Sequence, residues 1–169
     1  PGPIRSIAFD TRRIAHGPET LFVALRTDNR DGHEFIAQAL DLGVKNFLTE
    51  KKIEASGINY ALCDNSLETL QLWARFHRSR FNYPVIAITG SNGKTTVKEW
   101  LSTLLEMRFQ IAKSPMSYNS QLGVALSLLQ LHPGADLAII EAGISQPGEM
   151  EILQEMIQPS HGIFTHFGP

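Results

Sequence analysis

Cysteine is almost missing from this chain of 169 residues: Cys63 stands alone, so no internal disulfide can form and a reducing compartment fits. An excess of either charge is missing too, since 15 Lys and Arg balance 17 Asp and Glu to a formal net charge of −2. That balance gives no electrostatic case for nucleic acid or an anionic membrane as the main partner. No apolar run approaches the ~20 residues that span a bilayer. The first residues lack the basic-then-apolar pattern of a secretory signal. Internal repeats and low-complexity tracts are also lacking. What remains is 43% hydrophobic and 19% charged, enough apolar material for a packed core and too much for disorder. The expectation is a soluble cytoplasmic protein of one ordinary domain or two small ones.

Periodicity divides the chain into two halves. In the first, 6–9 and 21–25 read as strands, separated by a turn-rich stretch containing Gly17-Pro18. A helix after Gly32 carries Phe35, Ile36, Ala39 and Leu40 on one face and stops at Gly43. Strands at 45–49 and 59–63 follow. Asp64-Asn65-Ser66 then caps a helix whose stripe is Leu67, Leu70, Ala74 and His77. Tyr83 precedes a proline and is biased away from helix, which sets the expected domains at 1–83 and 84–169. The second half alternates: strands at 85–89, 109–112, 137–141 and 162–165, with helices at 95–107, 120–131 and 149–157 between them. Such alternation predicts a parallel sheet with helices on its faces. Ligands then sit at the carboxyl ends of the strands, so the loops after 89, 113, 141 and 165 share one rim. Four strands make a small sheet for a nucleotide domain, so a piece of a longer protein is expected.

The most informative stretch is Val85-Ile86-Ala87-Ile88-Thr89-Gly90-Ser91-Asn92-Gly93-Lys94-Thr95-Thr96. A buried β-branched strand runs into a loop with two glycines, and a lysine and two hydroxyls open a helix. Gly90 and Gly93 let the backbone approach a ligand closely. The N–H groups of Ser91, Asn92 and the residues through Thr96 then converge on an anion at the helix N-terminus. Lys94 would reach the outer phosphates of a nucleotide and the Thr95 hydroxyl would hold Mg²⁺. The loop is shorter than the common Gly-x-x-x-x-Gly-Lys form, because Ile88 stands where that form needs glycine.

Other candidates are weaker on their own residues. Glu141 ends an apolar strand on the expected rim; from position alone, a Mg²⁺ ligand and a solvated strand-end carboxylate are equally open. Asn119 and Ser120 end a polar connection and read first as a helix cap. Asp10-Thr11-Arg12 and Asp28-Asn29-Arg30-Asp31-Gly32-His33 follow the first two strands, yet turns use the same residue types. His33, His77, His132, His161 and His166 lack partners at metal-ligand spacing, and His77 reads as a core residue. Cys63 reads as packing, Trp73 and Trp100 as core or domain-interface residues.

Taken together these segments resemble the ATP-dependent Mur ligases of peptidoglycan synthesis, most nearly the type that joins D-alanyl-D-alanine to UDP-N-acetylmuramoyl-tripeptide. Residues 89–96 are similar to that family's short phosphate loop. Glu141-Ala142-Gly143-Ile144-Ser145-Gln146-Pro147-Gly148-Glu149 resembles its second metal segment, and Tyr118-Asn119-Ser120-Gln121-Leu122-Gly123-Val124 its asparagine loop on the substrate side. Asp10-Thr11-Arg12, Leu21-Phe22-Val23-Ala24-Leu25 and Asp31-Gly32-His33 resemble its UDP-sugar domain. The resemblance implies an α/β fold: a small amino-terminal UDP-sugar domain, then the first part of a P-loop parallel-sheet ATPase domain. It implies ATP and Mg²⁺ as cofactors, with Lys94 and Glu141 catalytic, Thr95 and Glu141 on the metal. Thr11, Arg12, Asn29, Asp31, His33, Asn119 and Ser120 would contact substrate. The run 77–84 most resembles the ligase half of a ligase–alanine racemase fusion. The family's metal-binding histidine and modified lysine, the rest of its ATPase domain and its carboxyl-terminal domain would lie beyond Pro169; His166 is not that histidine. These 169 residues alone are then expected to be inactive in ligation. Rival readings are a diaminopimelate- or lysine-adding ligase, a folylpolyglutamate synthase, or a non-catalytic UDP-sugar-binding module.

Overall fold

A computed structural model describes residues 3–27, 30–166 and 168. Asn29, one of the substrate candidates, lies outside the described residues. The chain divides into two compact units, Pro1–Thr69 and Leu70–Pro169.

The first unit takes its strands from short apolar runs: β1 (Ser6–Ala8), β2 (Thr20–Val23), a small hairpin of β3 (Arg26–Thr27) and β4 (Arg30–Asp31), then β5 (Asn46–Thr49) and β6 (Asn59–Leu62). β1, β2, β5 and β6 form one parallel sheet in that order. The inner strands β2 and β5 are buried at every residue, as expected where a parallel sheet is covered on both faces. Helix α1 (Ile36–Asp41) sets its buried Ala39 among Phe22, Phe47 and Val44, with Phe35, Ile36 and Leu40 packed on that cluster. Gly43, at φ +80°, ends that helix by donating its N–H to Leu40 O at 2.8 Å, the stop predicted for it. The β3–β4 hairpin is absent from the sequence-based expectation, because its residues are polar and alternate no apolar side chains.

Helix α2 (Ser66–Ser79) begins where Asn65 Oδ1 accepts the N–H groups of Leu67 at 3.0 Å and Glu68 at 3.1 Å. The division into compact units falls inside this helix. Its later residues are bonded within the second unit: Gln71 Nε2 donates to Gln121 Oε1 at 2.8 Å, and buried Arg78 donates to Ile157 O and Gln158 O at 3.0 and 3.1 Å. The helix ends at Ser79, and Tyr83-Pro84 leads into the next strand.

In the second unit β7 (Val85–Thr89), α3 (Lys94–Leu105), β8 (Ile111–Lys113), α4 (Gln121–Leu128), β9 (Leu137–Glu141), α5 (Glu149–Ile157) and β10 (His161–Phe164) alternate as predicted. The four strands are parallel in the order β10-β7-β9-β8, so all four carboxyl-end loops do share one rim. The chain passes from β7 to the edge strand β8, returns through β9 and crosses to β10, so β7, which carries the glycine loop, is an inner strand. Val97, Leu101 and Leu105 of α3 pack on Ile88, Leu137 and Ile139. Trp100 is rotated off that stripe and is 70% exposed and Trp73 is 38% exposed, which removes the core alternative for both. His77 is half-buried rather than enclosed, with Nε2 2.9 Å from Leu131 O. Small shifts at element ends follow from tight turns: Arg108 and Phe109 donate back to Leu105 O and so belong to the exit of α3, which delays β8. No helix among the described residues is long and apolar enough to cross a membrane.

Candidate functional site

The glycine loop is pinned from below. Ser91 N–H donates to His166 O at 2.9 Å and Thr165 Oγ1 donates to Asn92 O at 2.5 Å, so the segment after β10 forms its floor. Gly90 takes φ +135°, and a Cβ there would stand 2.4 Å from Thr165 Oγ1 and 2.9 Å from His166 N. Gly93, at φ +83°, precedes the first turn of α3. Only glycine meets both demands at position 90. Lys94 lies back over the loop, with Nζ 2.6 Å from Gly90 O. The ammonium therefore stands at the concavity where the N–H groups of an unfilled first helical turn point. A pocket of about 180 Å³ borders the loop and is lined by Thr89, Gly90, Ser91, Ile144, Phe164 and His166 among others.

Register carries Glu141 to the same place, since Ile88 of β7 pairs with Glu141 of β9. Its carboxylate is fully buried, and Oε2 accepts the Thr95 hydroxyl at 3.0 Å. The two residues expected to share a metal are thus in contact. Oε1 stands 2.9 Å from Lys98 Nζ as an ion pair but outside hydrogen-bond alignment, and no other group satisfies it. The Thr95 hydroxyl and the Glu141 carboxylate, in contact through Oε2, form a hard, oxygen-only donor pair. They fit Mg²⁺ when phosphate oxygens and water complete the shell. No group of three His, Cys, Asp or Glu suited to a metal occurs among the described residues.

The remaining rim loops are tied to this pair. Ser114 Oγ accepts the Glu141 N–H at 3.1 Å, and Gly143 N–H donates to Asn119 O at 2.7 Å. Ser120 Oγ caps α4 through the Gly123 N–H at 3.2 Å, the role its position suggested. Asn119 packs its side chain against Gly143, where a Cβ would come within 3.0 Å. Glu149 Oε2 gathers the N–H groups of Ser145 and Gln146 at 2.6 and 2.9 Å. Those bonds, the Ser145 N–H first, hold the carboxyl down to about 2.

The first-unit candidates behave differently. Asp10 grips Arg12 through Nη2 at 2.6 Å and Nε at 3.0 Å, a pairing that keeps its carboxyl well below the usual range. Thr11 donates its hydroxyl to Gln38 Oε1 at 2.7 Å. Asp31 binds Lys51 Nζ at 2.8 Å and is held low chiefly by that bond. His33 is enclosed, with Nδ1 2.5 Å from Asp31 Oδ1 and Nε2 accepting the Glu50 N–H at 3.0 Å. Its neutral tautomer therefore carries the proton on Nδ1, and both nitrogens are engaged inside the loop. Cys63 is partly buried, its thiol 3.5 Å from Thr49 O, in keeping with a packing role.

Lys98 escaped the sequence reading. It is fully buried beside Glu141, yet a lysine on a helix ordinarily reads as solvated. The available signal was its place one turn after Lys94 and one turn before Leu101, on the inward side.

Residues 88–169 match the family described as the Mur ligase middle domain. A UDP-N-acetylmuramoyl-tripeptide–D-alanyl-D-alanine ligase from Synechocystis sp. is 37% identical over 167 residues, covering 98% of this chain and 36% of that protein. A crystal structure of MurF from Acinetobacter baumannii superposes with a TM-score of 0.88 at 29% identity, covering 95% of this chain and 35% of that one. MurF ligase from Thermotoga maritima in complex with ADP superposes at 0.79 and 31% identity, over 92% of this chain and 36% of that one. The chain therefore spans about a third of the length of the relatives it matches.

Proposed function

The chain belongs to the Mur ligase family, and from that premise we propose that its second unit is the nucleotide-phosphate site of an ATP-dependent amide ligase. The whole protein would join D-alanyl-D-alanine to UDP-N-acetylmuramoyl-tripeptide, the reaction in the name of its Synechocystis relative. In this reading 1–83 hold the UDP-sugar and 84–169 begin the ATPase domain. Both substrates imply a cytoplasmic location. The run 77–84 supports a downstream alanine racemase, which the rest of the reading frame would reveal.

The observation that carries the reading is the Thr95–Glu141 contact at 3.0 Å beside the glycine loop and Lys94. A peptide carboxylate oxygen attacks the γ-phosphorus, ADP leaves, and an acyl phosphate forms. The amine then attacks the acyl carbon, losing a proton, and inorganic phosphate departs. Phosphoryl transfer asks the protein for positioning and charge neutralisation rather than covalent chemistry. Lys94 and the loop N–H groups, from Ser91 to Thr96, would bind the phosphate oxygens and neutralise charge as it shifts to the leaving group. Thr95 and Glu141 would hold Mg²⁺, which when bound neutralises and aligns the β- and γ-phosphates. Thr11, Arg12, Asn29, Asp31 and His33 would frame the UDP-sugar, and Asn119 and Ser120 the peptide side.

Calorimetry on the 169 residues with Mg-ATP and with UDP-N-acetylmuramoyl-tripeptide, titrated separately, tests both halves of the reading. Binding of Mg-ATP that Lys94→Ala weakens roughly thirtyfold is the expected result. Absence of Mg-ATP binding by the unmodified chain would overturn the nucleotide assignment, and retention of normal affinity by Lys94→Ala would overturn the role of that lysine.

A further inference from the structure

Lys98 is a lysine without a surface. Its Nζ lies 2.8 Å from Ser114 O, in contact with Met116 O, 2.9 Å from Glu141 Oε1 and 3.2 Å from Glu99 Oε1. Both Lys98 and Glu141 are fully buried. Met116 adopts φ +50°, an uncommon conformation for a side-chain-bearing residue, and presents its carbonyl to this ammonium. A buried charge held by four oxygens, two from the connection after β8, one from the end of β9 and one from its own helix, is an arrangement that removal of any one partner would upset. Its consequence for Glu141 is geometric. One carboxylate oxygen is committed to the ammonium, and the other faces Thr95 and the glycine loop.

We propose that Lys98 is a positioning residue that makes Glu141 a one-oxygen metal ligand and thereby sets the site's preference for Mg²⁺ over Ca²⁺. The inference rests on the reading that Thr95 and Glu141 hold the nucleotide's metal. Mg²⁺ keeps a tight octahedral shell and takes carboxylates through single oxygens, whereas Ca²⁺ accepts six to eight ligands and favours two-oxygen carboxylates. With the ammonium on Oε1, Glu141 cannot chelate through both oxygens. A neutral residue at position 98 frees Oε1 and opens the larger coordination shell.

The test is ADP affinity in Mg²⁺, in Ca²⁺ and in chelator, measured calorimetrically on the unmodified chain and on Lys98→Met. On the unmodified chain Mg²⁺ is expected to strengthen ADP binding at least about tenfold more than Ca²⁺ does, and Lys98→Met to cut that ratio about tenfold while affinity in chelator stays unchanged. A merely structural lysine would lower affinity in all three conditions alike, and that result overturns the proposal. So does an unmodified chain that treats the two ions equally, an arm that stands even where circular dichroism shows Lys98→Met unfolded. No ADP binding under any condition would instead defeat the nucleotide reading itself, which separates the two failures.

Discussion

The two units hold their charged strand-end residues in opposite ways. In the second, Glu141 and Lys98 are fully buried and bonded across segments far apart in the chain. In the first, Asp10 pairs with Arg12 two residues away, and Arg12 leaves 79% of its side chain in water. Asp31 likewise pairs with Lys51, whose side chain is 58% exposed. Buried charges cannot exchange partners without large cost, so the second rim is held in one arrangement, as the proposed metal–phosphate site would require. Exposed pairs are weak and salt-screened, so the first-unit loops can give up Arg12 or Lys51 to an incoming anion. Rigid and adaptable charge pairs are built here from the same residue types, with burial making the difference.

That contrast can be broken most sharply at Glu141. Glu141→Ala leaves Lys98 buried and unpaired, and is expected to destabilise the second unit by about 3–5 kcal/mol in urea unfolding. Next comes Lys94→Ala, which removes a charged contact to phosphate; Mg-ATP affinity should fall by about 2 kcal/mol, roughly thirtyfold, with the unfolding midpoint unchanged. Ser120→Ala deletes the cap on α4 and should cost about 1 kcal/mol by the same unfolding measurement. Acid sharpens the comparison further. Glu149 has a folded pKa lowered to about 2 from 4.5, so its contribution is fully present above about 4.5 and is lost as pH falls toward 2. Glu149→Gln should flatten that acid limb, which an unfolding series between pH 2 and 5 would register. Smallest of all, Arg12→Ala should leave stability unmoved while weakening UDP-sugar binding; a shifted melting temperature would mean that the first-unit pair is structural after all.

The strands that carry the site were readable because interior strands of a parallel sheet are continuous apolar runs, as in Val85-Ile86-Ala87-Ile88 and Leu137-Ala138-Ile139-Ile140. The glycine loop was readable because its backbone demands glycine. Glu141 was half-readable: its place on the rim followed from alternation, but its contact with Thr95 depends on the sheet order that sets β7 beside β9. Lys98 was hidden for the same reason, since its partners lie at 114, 116 and 141 and no local period announces them. The exposed Trp100 misled because large aromatics usually belong to a core.

The floor beneath the glycine loop also fixes an order of events. Its bonds join positions separated by 73 to 77 residues, from Thr165–Asn92 to Gly168–Ser91. A nascent chain that has emerged as far as α3 carries the letters of the anion cradle but lacks its underside. The cradle can therefore mature only after β10 docks, and truncation before Thr165 should yield a helical, stable-looking product deaf to nucleotide.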